Sequence, residues 1–145
     1  MRIRSTLSLA ALSLFLISGS SLAGTVEVPG DGDPALYVVK VHADWCGACT
    51  ALVPVLEEVR TSLADKPVLF LELDVTDAKR TAQSRLLAAA LGIEEPFKAN
   101  NKTGLVLLID PAKKAVVETL TRKNPAEEMT GKIKVHIASN GKSHH

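Results

Sequence analysis

The chain predicts an α/β sandwich built on a mixed central sheet. Three observations carry that class. Two nearly continuous apolar runs, Leu36–His42 and Val68–Leu73, each lead into a segment with helical spacing, as strands covered by helices do. A third run, Leu105–Ile109, meets a turn signal and then a further strand-like segment, which is the pattern of a hairpin. A last segment, from Asn124, carries the start signals of a helix. At 145 residues, 46% hydrophobic and 23% charged, the chain suits one compact domain.

Composition removes several function classes. Seventeen basic residues stand against 16 acidic ones for a net charge of +1, with no basic stripe, so nucleic-acid binding has no electrostatic footprint. Aromatic residues are only 3% of the chain, and the core must be made of Leu, Val, Ile and Ala. Disorder does not fit so many aliphatic residues. The two cysteines, three positions apart, cannot staple distant segments, which excludes a disulfide-framework fold.

Residues 1–23 read as an export signal peptide. Arg2 and Arg4 give a basic start, Leu7–Ile17 is apolar apart from Ser8 and Ser13, and Ser21-Leu22-Ala23 supplies small residues for cleavage. The apolar stretch of 11 residues is short for the alternative, an uncleaved anchor, since roughly 20 residues cross a bilayer as a helix. With no cysteine after it, lipid attachment is not expected. Cleavage before Gly24 would remove two arginines and leave a periplasmic or secreted chain of net charge −1 with no membrane span. An oxidising compartment follows from export.

The elements follow in order. Residues 24–35, with Pro29, Gly30, Gly32 and Pro34, form a loop after a short strand at Thr25–Val28. The first main strand is Leu36–His42. From Cys46 to about Leu63 the residues Leu52, Val55, Leu56, Val59 and Leu63 recur at helical spacing, with a kink expected at Pro54. Asp65-Lys66-Pro67 ends that helix, and Val68–Leu73 is a second buried strand. Asp74 or Asp77 caps a helix running to Leu91, with Ala82, Leu86, Leu87, Ala90 and Leu91 as its apolar side and Gly92 at its end. Ile93–Thr103 reads as polar and irregular. Leu105–Ile109, a turn at Asp110–Lys114 and Ala115–Thr121 make the hairpin. Asn124 as cap, Pro125 in the first turn and the acids Glu127 and Glu128 open the final helix, with Met129, Ile133 and Ile137 buried. The domain is thus expected over 36–138, with 139–145 a flexible tail.

Chemistry concentrates at Trp45-Cys46-Gly47-Ala48-Cys49, where the first strand hands over to its helix. Backbone N–H groups and the dipole at a helix N-terminus stabilise negative charge, so a thiol there ionises more easily. A free cysteine titrates at about 8.5, and a Cys-X-X-Cys pair in such a setting at roughly 3.5–7. Cys46, at the open turn, is the expected nucleophile, and Cys49, one turn into the helix, the resolving thiol. Half of a zinc site lacks a second cysteine pair. A purely structural disulfide closing so small a loop adds little stability. Two idle buried thiols are a poor fit to an exported chain. Redox chemistry is the reading that uses the pair.

The stretch Ala43-Asp44-Trp45-Cys46-Gly47-Ala48-Cys49, with Pro54 five residues after the second cysteine, resembles the active-site segment of the thioredoxin family. Leu71-Glu72-Leu73-Asp74 and Leu91-Gly92-Ile93 are compatible with it, and the likeness runs from Leu36 to the final helix. It implies a thioredoxin fold, a mixed central sheet flanked by helices, and thiol–disulfide exchange with protein partners. Among exported members the stretch also resembles periplasmic reductase domains that carry Ala-Asp-Trp-Cys. The resemblance favours reduction over oxidation and implies an upstream electron donor or acceptor protein. It implies no cofactor beyond the Cys46–Cys49 disulfide and no metal.

Four departures from that family pattern mark Lys40, His42, Thr103 and Gly104 as modulators of the site, beside Trp45, Gly47 and Ala48. Lys40 stands where the family places a buried acid, and either favours thiolates by charge or snorkels to the surface. Thr103-Gly104 replaces the family's cis-proline, and Pro96 lies nine residues before Leu105. That loss would alter partner choice or let the cysteines capture a soft metal such as Cu(I). His42 stands where an aromatic is common, either facing the pair or satisfied by packing. The segment before the first strand is short, and Ile93–Thr103 is long for its loop, with Phe97 either on a partner or in the core. The alternative function is accordingly a non-catalytic Cu(I) binder, or an interaction module latched by the same cysteines.

Overall fold

The computed structural model describes residues 33–140. The expected signal peptide, the strand at Thr25–Val28 and the last five residues lie outside the described residues. The chain runs β1 (Leu36–His42), α1 (Gly47–Ser62), β2 (Val68–Asp74), α2 (Ala78–Ala90), α3 (Glu94–Ala99), β3 (Leu105–Asp110), β4 (Ala115–Thr121) and α4 (Ala126–Asn140). The sheet order is β2-β1-β3-β4. β1 pairs parallel with β2, from Leu36↔Val68 to His42↔Asp74, and antiparallel with β3. β3 and β4 are antiparallel, with a register shift at Leu108/Ile109.

Side-chain alternation along β1 builds two core layers. Leu36 and Val38 join Val106 and Leu108 of β3 under α1 and α4, whose Leu52, Leu56, Val59, Met129 and Ile133 fill that face. Val39 and Val41 face the opposite way, against Leu107, Ile109, Ala88, Ile93 and Phe97 on the α2–α3 side. β1 and β3 are therefore covered on both faces. β2 is not. It lies at an edge of the sheet among the described residues, and only Leu73 in it is fully buried, so the expectation of a second buried strand is corrected.

Three further readings change. The buried side of α2 is Ser84 and Ala88, while Leu86 and Leu87 are 73% and 41% exposed. Small residues fit there because α2 packs closely on β2, with the Ser84 hydroxyl donating to the Asp74 carbonyl at 2.8 Å. The segment Ile93–Thr103 is not irregular but holds α3, whose Ile93 and Phe97 are buried. The Asn124 side-chain oxygen accepts from Thr121 N at 2.9 Å rather than from the helix amides, and its amide donates to Glu128.

Other start and stop signals hold. Asp77 caps α2 by accepting from Arg80 N at 2.9 Å. Gly92, at φ +70°, ends it, with Ile93 N on Ala88 O and Gly92 N on Ala89 O closing the left-handed turn. α1 continues unbroken through Pro54. α4 extends through Asn140, whose amide donates to Ala35 O at 2.9 Å and ties the helix end to the start of β1. No helix among the described residues is long and apolar enough to cross a membrane.

Candidate active site

The site is built where parallel β1 and β2 end side by side, because both strands release their following loops at the same edge. Val75 N donates to His42 O at 2.8 Å and Gly104 N donates to Val41 O at 3.0 Å, so the loops after β2 and before β3 both close on the end of β1. The turn Ala43–Trp45 then delivers Cys46, whose N–H donates to Ala43 O at 3.0 Å.

Cys46 is the N-cap residue of α1, and its Sγ accepts from Cys49 N at 3.2 Å. Cys46 and Cys49 are joined in a disulfide with Cα atoms 5.3 Å apart. The two sulfurs differ in access: Cys46 is 8% exposed and Cys49 is completely covered. Cys49 Sγ lies 3.6 Å from Val41 O, an acceptor that favours the protonated thiol once the pair is reduced. The first-turn amides act in the other direction on Cys46. They face it with no acidic residue in that turn to oppose them. One sulfur thus meets a helix amide at the rim of the site, and the other is sealed beneath it.

The residues around the pair divide by what they touch. Ala43 and the half-buried Val75 and Ala48 pack against the two cysteines. Trp45 is 68% exposed, with its indole N–H reaching Thr76 O at 3.3 Å. Gly47 is open, with nothing near the position a side chain would take. Gly104 is the opposite case. At φ +77°, a Cβ there would lie 2.9 Å from Ala48 Cβ and 3.5 Å from Cys46 Sγ. Gly104 therefore stands directly on the cysteine loop, and the missing side chain is what permits the approach. Phe97 belongs to the core rather than to a surface.

Lys40 is buried, and it neither reaches open solvent nor stands bare. Its Nζ donates to Glu72 Oε2 at 2.8 Å, across the β1–β2 register and on the α1 face of the sheet. His42 contacts Asp44 through Nε2 at 3.3 Å, and its Nδ1 is buried without a partner among the described residues.

Reasoning from sequence missed Arg80. Its guanidinium donates to Asp44 at 2.5 Å and to Asp74 at 3.3 Å. Asp74 also accepts from the Thr76 amide at 2.8 Å and from its hydroxyl, and that hydroxyl accepts from Asp44 N at 2.9 Å. This network ties the turn before Cys46 to the end of β2 and the first turn of α2. The hydrogen bonds from Arg80 and then His42 hold the Asp44 carboxyl below the usual carboxylate range. Burial pushes the Asp74 carboxyl up, but the Thr76 hydrogen bonds and the Arg80 charge outweigh it and bring it down. Asp44, in turn, holds Arg80 above its ordinary value. His42, Asp44 and Asp74 each offer a ligand atom within 4.8 Å of the others, yet Arg80 already supplies the cation between the two carboxylates. No sequence signal marked this network, because only the register that aligns His42 with Asp74 brings the charges after both strands together.

Comparison with known proteins places this arrangement. A family model described as Thioredoxin matches residues 31–89. The thioredoxin domain-containing protein 3 homolog of Ciona intestinalis is 43% identical over 44 residues, 29% of this chain, and the chain spans only 7% of that relative's length. Among solved structures, a thiol:disulfide interchange protein of the thioredoxin family from Chlorobium tepidum is similar at a TM-score of 0.50. It is 18% identical, over 72% of this chain and 81% of that one. Fasciola hepatica thioredoxin gives 0.47 at 20% identity, over 72% and 83% of the two chains. The β2-β1-β3-β4 sheet with its flanking helices is a thioredoxin fold. The family match falls on the segment that builds the disulfide and the strand beside it, and over that segment the chain is similar to the thioredoxin family.

Proposed function

We propose that this protein is an exported thiol–disulfide oxidoreductase that reduces disulfides in partner proteins. The supporting observation is the asymmetry of the pair: Cys46 caps α1 and keeps a small exposed edge, and Cys49 is completely covered beneath it. In the reduced protein the Cys46 thiolate attacks a partner disulfide, forming a mixed disulfide and releasing one partner sulfur as a thiolate. Cys49 then loses its proton and attacks Cys46 Sγ. The second partner sulfur leaves, the Cys46–Cys49 bond forms, and two electrons have passed to the partner. A dithiol protein upstream returns the pair to the reduced state, and no cofactor beyond the pair is required.

Insulin reduction tests the activity. Wild type should catalyse it, Cys46→Ser should not, and Cys49→Ser should accumulate the mixed disulfide. Wild type no faster than Cys46→Ser would remove the reading. The direction is tested by the reduction potential, expected nearer −270 than −120 mV within the range of roughly −270 to −120 mV for such pairs. Export is supported by the basic start and apolar stretch of residues 1–23. The exported chain should begin at Gly24 by mass, and a cytosolic chain retaining residues 1–23 would overturn that part alone.

A further inference from the structure

We propose that the groove between α2 and α3 binds an acidic segment of the disulfide partner, with Arg85 as its specificity-determining residue. This rests on the redox reading above and names the partner chemistry of the same site. The groove begins at the cysteines. Val75, which packs against Cys46 and Cys49, forms one wall of a cavity of about 280 Å³ completed by Thr81, Arg85, Phe97, Lys98 and Asn101. Thr81 and Arg85 also line a second, shallower depression that continues along α2 past Ala82 and Leu86 to Ala89.

Two features give the groove its chemistry. Its apolar surfaces are the half-buried Val75 beside the site and the 73% exposed Leu86 further along, with the buried Phe97 at its floor. Its charge is positive. α2 carries Lys79, Arg80 and Arg85 with no acid among its residues. Arg80 is engaged by Asp44, Asp74 and Asp77, and Lys98 is paired with Glu94 and Glu95. Arg85 has no ion-pair or hydrogen-bond partner among the described residues, although it stands at the junction of both depressions. Glu94 lines the outer depression only. An extended partner segment following α2 from the mixed disulfide would place a carboxylate on Arg85 and an apolar side chain near Leu86. From Ala78 to Ala89 the helix offers about 16 Å, room for about five extended residues. The far wall exists because Ile93–Thr103 folds into α3 instead of turning directly to β3, so the groove belongs to this chain's long connection.

Two disulfide-linked peptides of equal length, one with Glu and one with Lys flanking the cysteine, test the proposal alongside hydroxyethyl disulfide, which is uncharged and too small to reach the groove. With dithiothreitol as the electron donor, wild type should reduce the acidic peptide about fivefold more efficiently in kcat/KM, the scale of one exposed ion pair. Salt at 0.5 M should shrink that preference. Arg85→Glu should reverse it and leave hydroxyethyl disulfide reduction unchanged, and Arg85→Lys should restore most of it. Equal rates on both peptides, or a preference that survives Arg85→Glu, would overturn the groove. Failure to reduce hydroxyethyl disulfide would overturn the redox reading beneath it.

Discussion

At Gly104 the backbone holds φ +77° while pressing on Ala48 and Cys46, so two separate penalties meet any side chain placed there. Gly104→Ala should cost about 1–3 kcal/mol in urea unfolding and should slow insulin reduction by displacing the Cys46–Ala48 loop. Adding Ala48→Gly removes the 2.9 Å contact but not the backbone strain. The double variant should therefore regain part of the stability and most of the rate. A fully additive pair would mean that the contact carries no energy. Lys40 poses a different question of balance. Its ammonium is buried while Glu72 is half exposed. Losing the carboxylate strands a buried cation, whereas losing the cation leaves an acid that water can solvate. Glu72→Gln is expected to destabilise by about 2 kcal/mol and Lys40→Met by much less, with equal losses contradicting that order. The departure at Lys40 was legible in the sequence, but its partner was not, because Glu72 comes beside it only through the strand register.

The helices show why apolar periodicity located elements better than it oriented them. In α1 the large residues Leu52, Leu56 and Val59 are those that are buried, and pattern and packing coincide. In α2 they diverge. Leu86 and Leu87 carry the apolar signal, while the surface that meets β2 is made of Ser84 and Ala88, where only small side chains fit. A hydrophobicity count weighs the leucines and has no term for the distance between helix and sheet. α3 was hidden for a related reason: a six-residue helix gives a period too little length to show, and its two acids and lysine read as loop. Leu86→Gln should then change the unfolding midpoint by no more than about 0.5 kcal/mol. Ala88→Leu should cost about 1–3 kcal/mol by forcing helix and sheet apart. The opposite ranking would restore the leucine face to the core.

Across the whole molecule, the succession of strands along the chain, the mixed-sheet class and the cysteine pair were readable, because each rests on contiguous residues. The clamp around the pair was not, since it joins Asp44 after β1, Asp74 at the end of β2 and Arg80 in α2. Its energy depends on ionised carboxylates, and this fixes how stability responds to acid. Both Asp44 and Asp74 titrate below their usual range in the folded chain. A carboxyl depressed by folding contributes stability above its unfolded value, near pH 4, and loses that contribution as pH falls through the lower folded value. Arg80→Gln lets both carboxyls rise toward that unfolded value. The variant should be less stable than wild type at pH 7, and the two urea midpoints should converge between pH 4 and the acid limit as the carboxylates protonate. Because Asp44 and Arg80 are largely exposed, 0.5 M salt at pH 7 should narrow the same gap. A difference constant from pH 7 to pH 2 would assign Arg80 a packing role. Convergence would identify it as the cation that holds the turn in front of Cys46.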